Sequence, residues 1–376
     1  MVLALVFLLQ AARFDAAAFD PLVLRGIRDG VYPGAALVVG RRDTVLFAKG
    51  YGRLTWSSAS LPVDAESTLY DLASLTKVVA TTTAAMLLVD RGRLRLDAPV
   101  ASYIPEFDGP GTAVITVRRL LTHTSGLRPV LPLYREAPDS AAALRMVFAA
   151  TPIAPPGARV IYSDLNGILL GEIVRRAAGE PLDVFAEREI FGPLGLRRTL
   201  FRPPPRQRSH IAPTGLWRGH AVAGVVNDQN AAVLGGVAGH AGLFASAADV
   251  ARFAQLILRE GTLPDGRQLA RRETVREFTT RATPPGRGTR SEARALGWQA
   301  LPTGESVSSA GTLFGARSFG HTGWTGTSLW IDPDRDLFVV LLTNRAFAPR
   351  ARRSFTLLKE VRGDVADAAA RASDAR

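Results

Sequence analysis

The chain has 376 residues, is 47% hydrophobic and carries a formal charge of +12. That is enough apolar surface for one large domain or two, and the arginines are scattered rather than grouped in the basic block expected of a nucleic-acid binder. Cysteine is absent, which excludes disulfides, thiolate metal sites and a cysteine nucleophile together.

In chain order, residues 2–9 form an apolar run of signal-peptide length, with no Lys or Arg before it and Arg13 after it. The run is too short to span a bilayer, and no other stretch reads as a membrane span. A degraded export signal within residues 1–18 and the first turns of a surface helix are both open readings. Asp20-Pro21 opens a short helix that Gly30 closes. Residues 35–39 and 44–49 flank Gly40-Arg41-Arg42-Asp43 and read as a β-hairpin. Residues 75–89 read as one helix, and further helices are expected at 141–149, 164–178, 181–189 and 247–259, between Pro and Gly breaks. Residues 203–220 and 283–292 read as loops. Strands return at 294–300, 318–322, 328–332 and 337–343, followed by a closing helix at 354–361 and a frayed Ala/Asp/Arg tail.

Strands at both ends with helices between them predict an α+β fold. An antiparallel sheet flanked by helices is completed by the two ends of the chain, and a mainly helical domain is inserted. The expected boundaries are 19–90 with 285–364 for the sheet domain, 91–284 for the helical domain and 365–376 for a flexible tail. The ligand site is expected in the crevice between the two parts.

Of 46 basic residues only Lys49, Lys77 and Lys359 are lysine, so a simple positive charge at position 77 would have been arginine. Lys77 follows Ser74 by three residues at the start of an apolar helical stretch. Arginine cannot surrender its proton, whereas a desolvated lysine can, becoming a base for a neighbouring hydroxyl. At this composition S-x-x-K arises by chance about 0.15 times, so the pair alone decides nothing. Two further motifs accompany it: Tyr162-Ser163-Asp164 just ahead of a helix, and His321-Thr322-Gly323 in a late strand beside Trp324-Thr325-Gly326.

In this order and at these separations the three motifs resemble those of class C β-lactamase-type serine hydrolases, the group that includes DD-carboxypeptidases, penicillin-binding proteins and related esterases. The resemblance spans residues 19–345. Leu121-Thr122-His123-Thr124-Ser125-Gly126-Leu127, Ala241-Gly242-Leu243-Phe244 and the segment 247–253 are similar to recurrent family segments. The run from Asp228-Gln229-Asn230 to Gly239-His240-Ala241-Gly242 further resembles a periplasmic penicillin-binding-protein branch linked to cell-wall recycling.

The resemblance implies a β-lactamase/transpeptidase-like fold and an acyl-enzyme formed on Ser74, with Lys77 and Tyr162 sharing the proton transfers. It also implies an oxyanion hole from the backbone N–H groups of Ser74 and Trp324, a substrate-facing hydroxyl at Thr322 and a close backbone approach at Gly323. No metal and no cofactor are expected. Asp164 departs from the usual Asn: it can accept from the Lys77 amine but cannot donate an amide N–H to substrate, and its charge opposes the lowering of the Lys77 pKa that burial would cause. Capping the following helix is an equally open role. His321 stands where Lys is usual, which predicts a charge that titrates near neutrality and helps hold a substrate carboxylate. His123, His240, His210 and His220 lack metal-ligand spacing and are read as structural or surface residues.

The expected activity is that of a serine hydrolase acting on D-alanyl peptides of the cell wall, outside the cytoplasm. A β-lactamase, a small-ester esterase, and a penicillin-binding sensor that does not hydrolyse are the alternatives. Expected partners are a small molecule or peptide, namely a peptidoglycan fragment, β-lactam or ester, with no nucleic acid and no integral membrane segment. The oligomeric state is not readable.

Overall fold

The computed structural model of the protein describes residues 15–283, 293–301, 308–347 and 355–374. The apolar run at 2–9 and most of the loop expected at 283–292 lie outside them. Six strands form the main sheet: β1 (Gly34–Gly40), β2 (Val45–Gly52), β3 (Gln299–Ala300), β4 (Phe319–Thr322), β5 (Ser328–Asp332) and β6 (Leu337–Thr343). Their order is β2-β1-β6-β5-β4-β3, and every neighbouring pair is antiparallel. The two ends of the chain meet where Ala35 pairs with Thr343 and Gly40 with Phe338.

Strand β1 is buried along its whole length because both faces of the sheet are covered. Ala35, Leu37 and Val39 pack with Phe19 and Val23 of the first helix (Phe19–Arg28) and with Leu358, Val361 and Val365 of the last (Phe355–Asp374). Ala36 and Val38, facing the other way, join Val340, Leu342 and the apolar faces of the middle helices. Fully burying one such aliphatic side chain contributes about 1.5–3 kcal/mol. The fold is the α+β arrangement expected, with an antiparallel sheet and flanking helices.

The tail expected from residue 365 is instead helical to Asp374. Val365, Ala366, Ala368, Ala369 and Ala370 are buried, so the alanines read as tail filler are the small residues that let this helix lie close on the sheet. The interspersed acids are engaged too: Asp367 accepts from the Thr312 and Leu313 N–H groups, and Asp374 pairs with Arg335. The strand expected at 294–300 shortens to Gln299–Ala300. Within 203–220 the chain forms a 3₁₀ turn (Pro205–His210) and, with His220–Val222, a small hairpin beginning at Gly215–Trp217.

The segment holding Ser74 and Lys77 is not one regular α-helix. A 3₁₀ turn (Ala73–Leu75) leads into a π-helical stretch (Lys77–Thr82) and then an α-helix (Thr83–Asp90). Among the described residues, Ala73–Asp90 is the one helical stretch long and apolar enough to cross a membrane, and 83% of it is buried in the protein. A small sheet of Tyr70–Asp71, Leu243–Ala245 and Thr199–Phe201 brings the chain around residue 240 beside Ser74. Gly239 rests on the helix Asp164–Ala178, where a Cβ would come within 2.0 Å of the Gly167 carbonyl oxygen. Glycine there lets the His240 backbone reach over Lys77.

Candidate active site

Lys77 is buried, with 4% of its surface exposed. Its Nζ donates to Ser74 Oγ at 3.0 Å, to Asp164 Oδ1 at 2.8 Å and to the His240 carbonyl oxygen at 3.0 Å. A carboxylate, a carbonyl and a hydroxyl able to accept surround one nitrogen, an arrangement that suits the three N–H bonds of an ammonium ion. Burial alone would lower the Lys77 pKa, but the charges of Asp164 and then Tyr162 outweigh it, and the amine is held above its ordinary 10.5. Lys77 therefore rests charged through the neutral range. Because the folded-state value is raised, the stability this charge contributes is fully present at neutral pH and is lost only as pH rises through that folded value.

The Tyr162-Ser163-Asp164 segment is fastened from behind by the His123 turn. Ile161 N–H donates to the His123 carbonyl oxygen at 2.8 Å, Ser163 N–H to His123 Nδ1 at 3.2 Å, and Asp164 N–H to the Pro129 carbonyl oxygen at 2.8 Å. His123 is buried and neutral, its pKa lowered by desolvation and by the nearby charges of Arg294 and Lys77. The ring of Tyr162 stands 4.5 Å from the His123 ring, with Lys77 Nζ 5.1 Å from its centroid. Its hydroxyl is buried and makes no hydrogen bond of normal geometry among the described residues, though it lies near enough to Lys77 to help raise that amine's pKa. An ammonium holding Ser74 Oγ and a tyrosine oxygen beside it form a pair able to steady an alkoxide and, with the tyrosine as phenolate, to take up a proton.

Strand β4 closes the opposite side. Thr325 Oγ1 donates to the Asp71 carbonyl oxygen at 2.7 Å and Thr327 Oγ1 to the Leu72 carbonyl oxygen at 2.9 Å, tying the loop after β4 to the turn before Ser74. Gly323 permits this approach, since a Cβ there would lie 2.5 Å from the Leu72 carbonyl oxygen; protein packing as well as substrate access requires the glycine. The backbone N–H groups of Ser74 and Trp324 thus belong to two segments in contact. Thr322 ends β4 half-buried, and the Trp324 side chain is 56% exposed.

His321 is buried and donates from Nδ1 to the Thr322 carbonyl oxygen at 2.9 Å, which leaves Nε2 as a buried acceptor without a partner among the described residues. Desolvation, aided by the charges of Arg294 and Lys77, pushes its pKa down to about 3. Burial thus disfavours the charged form of the ring that was expected to hold a carboxylate. His321→Gln is accordingly expected to leave the pH dependence of kcat/KM between pH 5 and 8 unchanged, and a limb that vanishes in the variant would show that the ring titrates there after all.

Residues 19–362 match the Beta-lactamase family. The chain belongs to that family. It is 34% identical over 357 residues to an Escherichia coli (strain K12) protein provisionally named a D-alanyl-D-alanine carboxypeptidase, covering 85% of this chain and 80% of that one. It is 33% identical over 367 residues to the N-acetylmuramyl-L-alanine amidase of Bacillus subtilis (strain 168), covering 88% and 81%. Its fold is similar to that of a penicillin-binding protein homologue from Caulobacter crescentus, with a TM-score of 0.74 at 23% identity over 95% of this chain and 97% of that one.

Within this β-lactamase-family site, two residues escaped the sequence reading. Arg294 is 4% exposed, and its guanidinium lies 5.2 Å from the centroid of the Tyr162 ring. Nothing distinguishes it in the sequence from the other arginines; an isolated antiparallel bridge to Gln299 of β3 places it. His240 was read as structural, and its ring does pair with Asp228 at 3.0 Å. Its backbone carbonyl nevertheless supplies the third acceptor of Lys77, a contribution no side-chain motif encodes. His210 and His220 are exposed.

Proposed function

We propose that this chain is a serine hydrolase that forms an acyl-enzyme on Ser74 and acts on D-alanyl peptides of the cell wall, as a DD-carboxypeptidase does. The observation that carries this reading is the 3.0 Å bond from Lys77 Nζ to Ser74 Oγ beside the buried Tyr162 hydroxyl. Lys77, already charged, holds the serine oxygen and stabilises its anionic form. Tyr162, reacting as its phenolate, takes the hydroxyl proton as Ser74 attacks the carbonyl and, now a phenol, returns it to the leaving amine. The N–H groups of Ser74 and Trp324 receive the developing oxyanion. Two relatives carry names that refer to D-alanyl peptides and muramyl amides, and both substrates belong outside the cytoplasm, where we place this protein.

A D-alanyl peptide ends in a carboxylate. With His321 neutral, the recognition of that group passes to Arg294, a buried guanidinium whose field reaches both His321 and His123. Arg294→Met is expected to lower kcat/KM for a D-Ala-D-Ala peptide about 10–100-fold, the value of a hydrogen bond to a charged group. For an uncharged nitrophenyl ester the change is expected to stay within about threefold. Equal losses on both substrates would remove Arg294 from this role.

The second reading, a penicillin-binding sensor that acylates and stalls, is favoured by the same ammonium: a Lys77 held charged by Asp164 is a poor base for the water that must release the acyl group. Comparing turnover of a D-Ala-D-Ala peptide, nitrocefin and a short-chain nitrophenyl ester on one preparation separates the readings. Peptide turnover that exceeds the others supports the carboxypeptidase, nitrocefin turnover alone a β-lactamase, ester turnover alone an esterase, and a lasting adduct without turnover the sensor.

A further inference from the structure

Asp71 lies three residues before Ser74 and is 1% exposed. Its Oδ1 accepts from the Ala73 N–H at 2.9 Å and its Oδ2 from the Asn227 N–H at 2.7 Å. Both donors lead to the reactive pair. Ala73 has φ = 47°, a left-handed conformation that favours glycine, and it immediately precedes Ser74. Asn227 precedes Asp228, which grips the His240 ring, and the His240 carbonyl oxygen is an acceptor of Lys77. We propose that Asp71 is a positioning residue whose two carboxylate oxygens hold the strained turn that presents Ser74 and the loop that leads to Lys77. The proposal rests on the reading of Ser74 as the nucleophile.

The geometry demands the ionised form, because a protonated carboxyl offers one of its oxygens as a donor to an N–H group that is itself a donor. Burial, with a smaller contribution from the charge of Asp228, pushes Asp71 up to about 6. Of the ionisable groups on the elements that meet at Asp71, among them Tyr70, Lys77, Asp228 and His240, Asp228 is the one whose charge shifts it. The Gly323–Thr327 loop and the strand Leu243–Ala245 present none. Lys77 stays charged and Tyr70 neutral across this window, and the His240 ring keeps Asp228 down at about 2 despite its burial. His321 is neutral there as well. Acylation should therefore fall as pH drops through about 6, when Asp71 gains its proton and releases one of the two N–H groups.

The test is the rate of Ser74 acylation by a fluorescent penicillin from pH 4.5 to 8, measured on full-length wild type, Asp71→Asn and Ala73→Gly, with folding followed by circular dichroism. Wild type is expected to show a one-proton decline below about pH 6. Asp71→Asn is expected to be at least tenfold slower at pH 7 and nearly flat with pH, since its amide turns a donor towards one of the two N–H groups. Ala73→Gly is expected to react at a near-wild-type rate at pH 7 with a weakened acid limb, because glycine adopts the turn without the carboxylate. An Asp71→Asn rate within threefold of wild type would overturn the proposal. If that variant does not fold, an unaltered acid limb in Ala73→Gly would overturn it instead. Absence of labelling in wild type would count against the acyl-serine reading itself and not against Asp71.

Discussion

Ser74→Ala is expected to lower turnover of every substrate by at least about 10⁴-fold, since it removes the hydroxyl that Lys77 Nζ holds. Ser74 Oγ is one of three acceptors of Lys77, and the other two, Asp164 and the His240 carbonyl, remain in the variant. The lost hydrogen bond is therefore expected to cost only about 1 kcal/mol of stability. Ester hydrolysis and a urea denaturation curve on the same preparation check both halves. Activity within tenfold of wild type would remove Ser74 as nucleophile, and a variant that fails to fold would show Ser74 to be structural.

Lys77→Arg is expected to be nearly as damaging, by about 10³-fold, although it keeps the charge. Charge alone is not what the site requires. Three acceptors converge on one nitrogen at 2.8–3.0 Å, an arrangement a tetrahedral ammonium meets and a planar guanidinium does not. The position is also almost closed to solvent, so the longer side chain must displace its neighbours at a cost of about 1–3 kcal/mol. This reason differs from the one the sequence suggests, where arginine fails because it cannot act as a base. On the proposed mechanism, with Lys77 held charged by Asp164, the base is the Tyr162 phenolate, and Lys77 places and stabilises the serine oxygen. Rate measurements on the ester decide the matter: a Lys77→Arg enzyme within tenfold of wild type would mean that a positive charge of any shape suffices.

Much of the fold was legible because its strongest signals are local. The apolar runs of β1 and β2 on either side of a polar turn, and the helix Asp164–Ala178 with glycine at its end, follow from short-range patterns that tertiary packing reinforces. The helix from Phe355 to Asp374 was cut short in the sequence reading because alanines between charges lack the large side chains that mark a core face, yet small residues are what close packing on a sheet needs. The grouping of Ser74, Lys77, Tyr162 and Asp164 was legible because side-chain motifs mark it. The site was illegible where the backbone supplies a contact, as at the His240 carbonyl, and where burial decides the protonation state, as at His321. Arg294 and Asp71 belong to the same class: their identity is ordinary, and only the chain's path makes them part of the site.

The central claim is that Ser74 becomes covalently acylated. Mass spectrometry of the intact protein after incubation with benzylpenicillin, followed by peptide mapping, tests it most directly. The account predicts one added penicilloyl group on the peptide containing Ser74 in the wild type and none in Ser74→Ala. No adduct in wild type, together with no hydrolysis of penicillin or ester, or an adduct that persists in Ser74→Ala, would contradict it.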